Sequence, residues 1–527
     1  MADLSPLAAA GSPDREALLA KLAEANARCH RAELRVQQLE ERLRLLAIAK
    51  YGPRSENMSN YYLDLFEGEP GMTLDEVAAE AGREPLAEPV AVPAPAARKR
   101  RPHPGRQTLP AELPRQIRTI ACPPAQCTCG RCGAATTVIG YEESERLDME
   151  PVKLFVLVTR REKRACSQCK QAGVVTAPVP APIVEKGLAS DRLVIQTVVA
   201  KYGDHTPLYR QSAILSRDAG VEISRVTLNG WVMRVGELLA PVVAAMRREI
   251  LAGSYIQADE TEVPVQRPGE KLGKNHQAYL WQFGSPGVGG ARCGPVVFVF
   301  DLGRSGAMAQ RNLSGYGGIL QTDGYAGYNH VGVEGLVHAG CWAHARRYFV
   351  DAVKANEKDG YALDLVRRMD ELFAVDREAR EAKVSLETRA EWRRERSAAI
   401  VAGIKARLES KPGDVLPQSR AGKGVRYGLG QWKRLVRFLE YPEIELSNNL
   451  AENSMRPAVL GRKNWIHVGS VEAGPKVAAI LSVMESCRRL GVPVREYLGD
   501  VLPGLGDRKV NELAELTPSA WARRRIA

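Results

Sequence analysis

The chain has 527 residues, with 74 lysines and arginines against 62 aspartates and glutamates, for a formal net charge of +12 at pH 7. That length calls for several domains rather than one core, and the cationic surplus favours a polyanionic partner. There is no stretch of ~18 apolar residues and no basic start leading into an apolar run, which excludes a spanning helix and points to a cytoplasmic protein without membrane partners.

From Leu18, the residues Leu22, Ala25, Cys29, Ala32, Val36, Leu39, Leu43 and Leu46 follow alternating steps of four and three, with Glu, Arg and Gln between them. This heptad seam predicts a coiled coil over 15–50, through which the chain would form a homo-oligomer. Residues 51–110 read as a linker, acidic and then rich in Pro and Ala, that ends in the basic run Ala97-Arg-Lys-Arg-Arg101. Cys129-Gly-Arg-Cys132 and Cys166-Ser-Gln-Cys169 are two thiol pairs separated by strand-like text, which fits a tetrahedral four-cysteine zinc ribbon over 111–180. Cys122 and Cys127 lie near enough to replace a member of the first pair. Four thiolates leave no open coordination position, so the zinc would be structural.

Residues 187–250 read as helices. Gly220 marks a turn and Ser224 a cap for the helix through Trp231, a layout compatible with helix-turn-helix DNA binding and equally with plain helical packing. Arg217, Arg225 and Arg234 are its candidate phosphate contacts. Strand-like segments follow in quick succession at Tyr255–Ala258, Gln277–Phe283, Val296–Phe300, Ile319–Thr322 and Leu336–Gly340. Hairpin-like spacing among the first three predicts a mixed sheet within a core spanning 251–470, interrupted by a charged helical insertion at about 345–440. Residues 471–527 read as a C-terminal helical region.

Three carboxylates are candidate site residues in this core. Asp259 and Asp323 end apolar, strand-like runs, so both are expected at strand ends. Glu452 falls one turn into a helix capped by Ser447 or Asn448. Three acids converging from separate elements would make an oxygen-rich pocket suited to two Mg²⁺ or Mn²⁺ ions, able to activate an attacking oxygen and stabilise a leaving one at a phosphodiester. Singly, an aspartate at a strand end is usually a turn residue and a helical glutamate is usually solvated. Asp301, Glu260 and Glu262 compete for the same role. Cys341-Trp-Ala-His344 could pass for half a zinc site, but no second pair stands nearby. His344, Arg456, Arg462, Lys463 and Trp465 place cations and an aromatic beside the pocket, where they would contact DNA.

The segments DET at Asp259, DGYAGY at Asp323, GCWAHARR at Cys341 to Arg347, and NNLAENSMRP with GRKNW around Glu452 together resemble the insertion-sequence-66 family of bacterial transposases. KYGPRSEN, from Lys50 to Asn57, resembles the short basic motif that follows the coil in that family. The resemblance spans most of the chain. It implies a multidomain α/β protein with a ribonuclease-H-like core and a DDE triad of Asp259, Asp323 and Glu452, in which Asp259 bridges both metal ions. It also implies a preceding zinc-finger-like module, double-stranded transposon-end and target DNA as partners, a nucleoid-associated location, and accessory transposition proteins. The chain departs from the family at Asn453, where Arg usually follows the Glu, so a DNA contact made by that arginine is not expected here. The rival expectation is a non-catalytic zinc-ribbon DNA-binding regulator on an inactive core.

Overall fold

The computed structural model describes residues 13–51, 113–150, 153–168, 173–267, 275–286, 293–331, 333–410 and 415–526. The expected linker with its basic run lies outside them, as does Cys169. Helix α1 spans Pro13–Tyr51 as the heptad pattern requires, and its seam residues Leu22, Val36, Leu39 and Leu43 are all exposed. Near its C-terminal end, Arg44 donates to the carbonyl of Ala355.

A four-stranded sheet follows, with β3 (Lys153–Ala165) pairing antiparallel to β2 (Thr137–Glu150) along one edge. The other edge is shared by β1 (Arg115–Ile120), which is parallel to β3, and β4 (Val174–Thr176), which is antiparallel to it. Buried Asp148 on β2 accepts the hydroxyl of Ser190, whose own oxygen caps the next helix at Leu193 N–H. That junction ties the sheet to helices α2 (Asp191–Tyr202), α3 (Leu208–Ala219) and α4 (Arg225–Leu251). The turn at Gly220 and the Ser224 cap, which accepts Thr227 N–H at 3.1 Å, occur as expected. Arg217 pairs with Asp218 and Arg234 with Glu237, while Arg225 stands exposed.

The second sheet is mixed and five-stranded, in the order β7-β6-β5-β8-β9. Strands β5 (Tyr255–Val265), β6 (His276–Gly284) and β7 (Val296–Asp301) are antiparallel neighbours, while β8 (Ile319–Gln321) and β9 (Val337–Ala339) run parallel to β5. The strands do not simply follow one another, because helix α5 (Gly306–Asn312) intervenes before the first parallel strand. On one face, Ile256, Ala258 and Leu280 join a core with α2, α4 and the C-terminal helices. On the other, Tyr255, Ile319 and Ala339 pack with the inserted helices α6 (Trp342–Ala355), α7 (Gly360–Glu381), α9 (Ala398–Glu409) and α10 (Arg420–Gly430), while the short α8 (Leu386–Trp392) contributes no side chain to this cluster. The chain then returns as α11 (Asn449–Trp465), α12 (Ala473–Leu490), α13 (Val494–Val501) and α14 (Pro518–Ile526).

The C-terminal segment is part of this core. Helix α12 lies along the free edge of β7, where Ser482 Oγ accepts Phe298 N–H at 2.8 Å and Ser486 Oγ accepts Val296 N–H at 2.9 Å. An edge strand otherwise left with unpaired N–H groups is thereby closed. Replacing both serines by alanine should orphan two buried donors at ~1–3 kcal/mol each and lower the urea midpoint of the chain. An unchanged midpoint would show that the edge is satisfied in some other way.

Candidate active site

Neighbouring parallel strands set the first two acids side by side. The β5–β8 ladder pairs Tyr255 with Ile319, Ile256 with Leu320, and Gln257 with Gln321, so the next same-face residues are Asp259 and Asp323. The expectation that both acids end strands needs correction. Asp323 follows the last residue of β8 by two positions, but Asp259 lies within β5, which continues in a hairpin with β6 to Val265. It is the parallel partner that stops, not β5, and the pocket opens where β8 gives out. Gly324, at φ +93°, turns the chain there in a left-handed conformation, and one Asp323 oxygen accepts Tyr325 N–H at 2.8 Å.

The third acid is delivered by α11. Asn448 precedes the helix, yet its side chain caps nothing and instead donates to the Ala258 carbonyl at 3.0 Å, beside Asp259. The backbone N–H of Asn448 meets Cys341 Sγ at 3.2 Å, and Gln257 Nε2 donates to the Ser447 carbonyl at 3.0 Å. Glu452, in the first turn, faces Arg347 at 3.3 Å and His344 at 3.5 Å. Cys341 and Trp342 are buried, and Trp342 donates to the Leu435 carbonyl, so this motif packs the pocket wall and presents His344 from it.

Burial pushes the Asp259 carboxyl up to about 8, with repulsion from Glu260 and then from Asp323 and Glu452 adding to it. The three acids therefore share one electrostatic neighbourhood. Asp259 accepts Glu260 N–H and, among the described residues, has no cation bonded to it. The competing acids are already occupied. Glu260 holds Arg304 and Tyr328, Asp301 holds Gly303 N–H and Arg311, and Glu262 is exposed.

A buried carboxylate without a cation, flanked by two more, is the donor chemistry that hard divalent ions take. The three acids do not, however, form a group with all ligand oxygens within 4.8 Å, as the three cysteines below do. Glu452 is instead drawn to Arg347 and His344.

The remaining cations divide. Half-buried Arg462 donates to the Glu262 carbonyl and lies near Thr261, and Trp465 packs edge-on to Tyr202. Arg456 and Lys463 are exposed. The residues that sequence reasoning missed are Gln257, Gln321, the inward-turned Asn448 and Arg347. A signal for the first two was present, since Gln257-Ala-Asp259 and Gln321-Thr-Asp323 repeat a buried polar residue two positions before each acid.

In the zinc-ribbon region, the ligand atoms of Cys129, Cys132 and Cys166 all lie within 4.8 Å of one another, with Cys132 and Cys166 sulfurs 3.5 Å apart. Gly133 at φ +70° closes the knuckle, and Cys129 accepts two backbone N–H groups, from Arg131 and Cys132, that hold its thiol down to about 6. Cys122 and Cys127 stand outside this trio, bonded to backbone carbonyls. The cluster suits a structural zinc.

Two outcomes follow from these geometries. Between the ordinary carboxylate range and about pH 8, folded Asp259 keeps a proton that the unfolded chain has lost, so its contribution to stability falls as pH rises through that window. Without added magnesium or manganese, the thermal midpoint of the native chain should therefore drop more from pH 5 to 8.5 than that of Asp259→Asn. Parallel profiles would contradict the burial argument. Elemental analysis of purified protein should return one zinc per chain, and Cys129→Ser or Cys166→Ser should lose it, whereas Cys122→Ser should retain it.

Three stretches of the chain match models of known families. Residues 186–476 match the model described as the transposase IS66 family, residues 126–170 match the zinc-finger binding domain of transposase IS66, and residues 38–118 match a model described as transposase C of IS166 homeodomain. The uncharacterized protein y4qI of Sinorhizobium fredii is 34% identical over 521 residues, covering 95% of this chain and 93% of its own. From the same organism, the uncharacterized proteins y4jD and y4hP are 35% and 30% identical, over 78% and 93% of this chain and 81% and 88% of theirs. With the family model covering the sheet, the insertion and all three acids, and with relatives alike over almost the whole length, the chain belongs to the transposase IS66 family.

Proposed function

We propose that this chain is an active DNA transposase that cleaves transposon-end DNA and joins the freed end to a target by in-line phosphodiester exchange. The observation that carries the proposal is the pair of carboxylates on adjacent parallel strands, with a third brought to them by a helix fastened to one of those strands. The strand order, three antiparallel strands continued by two parallel ones, supports a ribonuclease-H-like core.

Asp259, Asp323 and Glu452 are the residues that would hold Mg²⁺ or Mn²⁺. When bound, such ions supply the positive charge that lowers the barrier for an attacking and a leaving oxygen. The chain's own contribution is placement and proton handling. The Asp259 carboxyl would have to give up its proton to act as a ligand, and Arg347 and His344 orient Glu452. The exposed Arg456 and Lys463 draw in the phosphate backbone, and His344 lies where it can also meet the scissile phosphate. In the first step water attacks phosphorus and the bond to the 3′-oxygen breaks. In the second, the freed 3′-hydroxyl attacks a target phosphodiester, so that one such bond forms as one breaks.

The exposed start of α4, at Arg225, is the part of the helical domain offered to DNA, and Cys169 is the fourth zinc ligand. The exposed seam of α1 supports pairing with a second copy. The experiment is cleavage of supercoiled donor plasmid carrying the element's ends. Asp259→Asn, Asp323→Asn and Glu452→Gln should each remove Mg²⁺-dependent cleavage while leaving end binding nearly intact. Cleavage retained by any one of them would remove that residue from the proposed triad, and an inactive native chain would favour a non-catalytic DNA-binding regulator.

A further inference from the structure

Beneath the acids lies a layer of buried side-chain amides that the chemistry above does not use. Gln257 and Gln321 are 1% and 0% exposed and stand side by side on β5 and β8, with Gln257 Nε2 2.8 Å from Gln321 Oε1 and buried Tyr255 donating its hydroxyl to the same oxygen. Such groups are costly to bury unless their hydrogen bonds are made, and here several go to one place. Gln321 Nε2 donates to the Glu445 carbonyl at 2.6 Å and to the Gly340 carbonyl at 2.9 Å, Gln257 Nε2 reaches the Ser447 carbonyl, and Tyr255 accepts Glu445 N–H at 3.1 Å. Three side chains from the two acid-bearing strands thus grip residues 445–447, the segment that leads directly into the helix of Glu452.

The grip continues outward. The Glu445 side chain accepts Arg389 at 3.1 Å, and Arg389 and Arg393 share buried Asp376. Arg393 in turn donates to the carbonyls of Phe438, Pro442 and Ile444. The helical insertion therefore clamps the stretch just upstream of the one held by the glutamines.

We infer that Gln257 and Gln321 are positioning residues for the third acid: each lies two residues before a metal-binding aspartate and fixes, through the 445–447 backbone, where Glu452 enters the pocket. This rests on the transposase reading of the three acids. Apolar replacements would leave the strands paired but release the helix start, and small misplacements of a reacting group can cost ~10²-fold in rate.

The test compares the native chain with Gln257→Leu, Gln321→Leu and their combination. By hydrogen exchange, amides in 444–455 should exchange at least ~10-fold faster in the double variant while β6 and β7 keep their protection. Unchanged exchange in 444–455, or equal loosening of all three regions, overturns the inference. A second readout is Mn²⁺ binding, followed by paramagnetic resonance. The double variant should lose the same increment of Mn²⁺ affinity as Glu452→Gln, and adding Glu452→Gln should cost nothing more. Additive losses would assign the glutamines to general stability and overturn the inference. A native chain that binds no Mn²⁺ would instead sink the metal-dependent function, with the exchange measurement still deciding the positioning role.

Discussion

Three carboxylates gathered in one partly dry pocket repel each other and resist losing water, and most of the architecture can be understood as holding them there. Asp259 bears the largest share, since burial and its acidic neighbours keep its proton on up to about pH 8. Glu452 is restrained by Arg347 and His344, and Glu260 is neutralised by Arg304 and bonded to Tyr328. Among the described residues, Asp259 and Asp323 have no bonded cation and accept only backbone N–H groups.

The restraint is supplied mainly by buried hydrogen bonds to backbone. Glutamines on β5 and β8, the amide of Asn448 and the sulfur of Cys341 all converge on residues 445–448 or reach from them to β5. The insertion adds two buried arginines on one aspartate and several carbonyls. Buried ion clusters are poor sources of net stability but fix geometry well when every donor is satisfied. On the opposite face, α12 closes the edge of β7, and the Asp148–Ser190 contact carries the cysteine-bearing sheet as a continuation of the helical domain.

How much of this could be read from the chain depended on the range of the interaction. The long helix α1, the Gly220 turn, the Ser224 cap and the Cys129–Cys132 knuckle are local, and each appears at the expected residues. The three acids stood out only because the motifs around them resembled a known family, as an isolated aspartate or glutamate carries little information. The errors came where distant segments compete for the same groups. Asn448 has the composition of a cap, but its side chain bonds across to β5. Asp259 was expected to end a strand, yet β6 extends the ladder beyond it.

The amino-acid sequence by itself determined which segments are helix, strand or thiol knuckle, because periodicity, capping and short ligand spacings act over a few residues. Tertiary structure alone decided that positions 259, 323 and 452 would face one another, and that Gln257, Gln321 and Asn448 would be spent on holding them. The register between β5 and β8, and the return of the chain from a long insertion onto that same strand, are settled by packing and buried hydrogen bonds between residues far apart in sequence. No local pattern encodes such partners, since each side chain had several chemically equivalent uses until the fold closed around it.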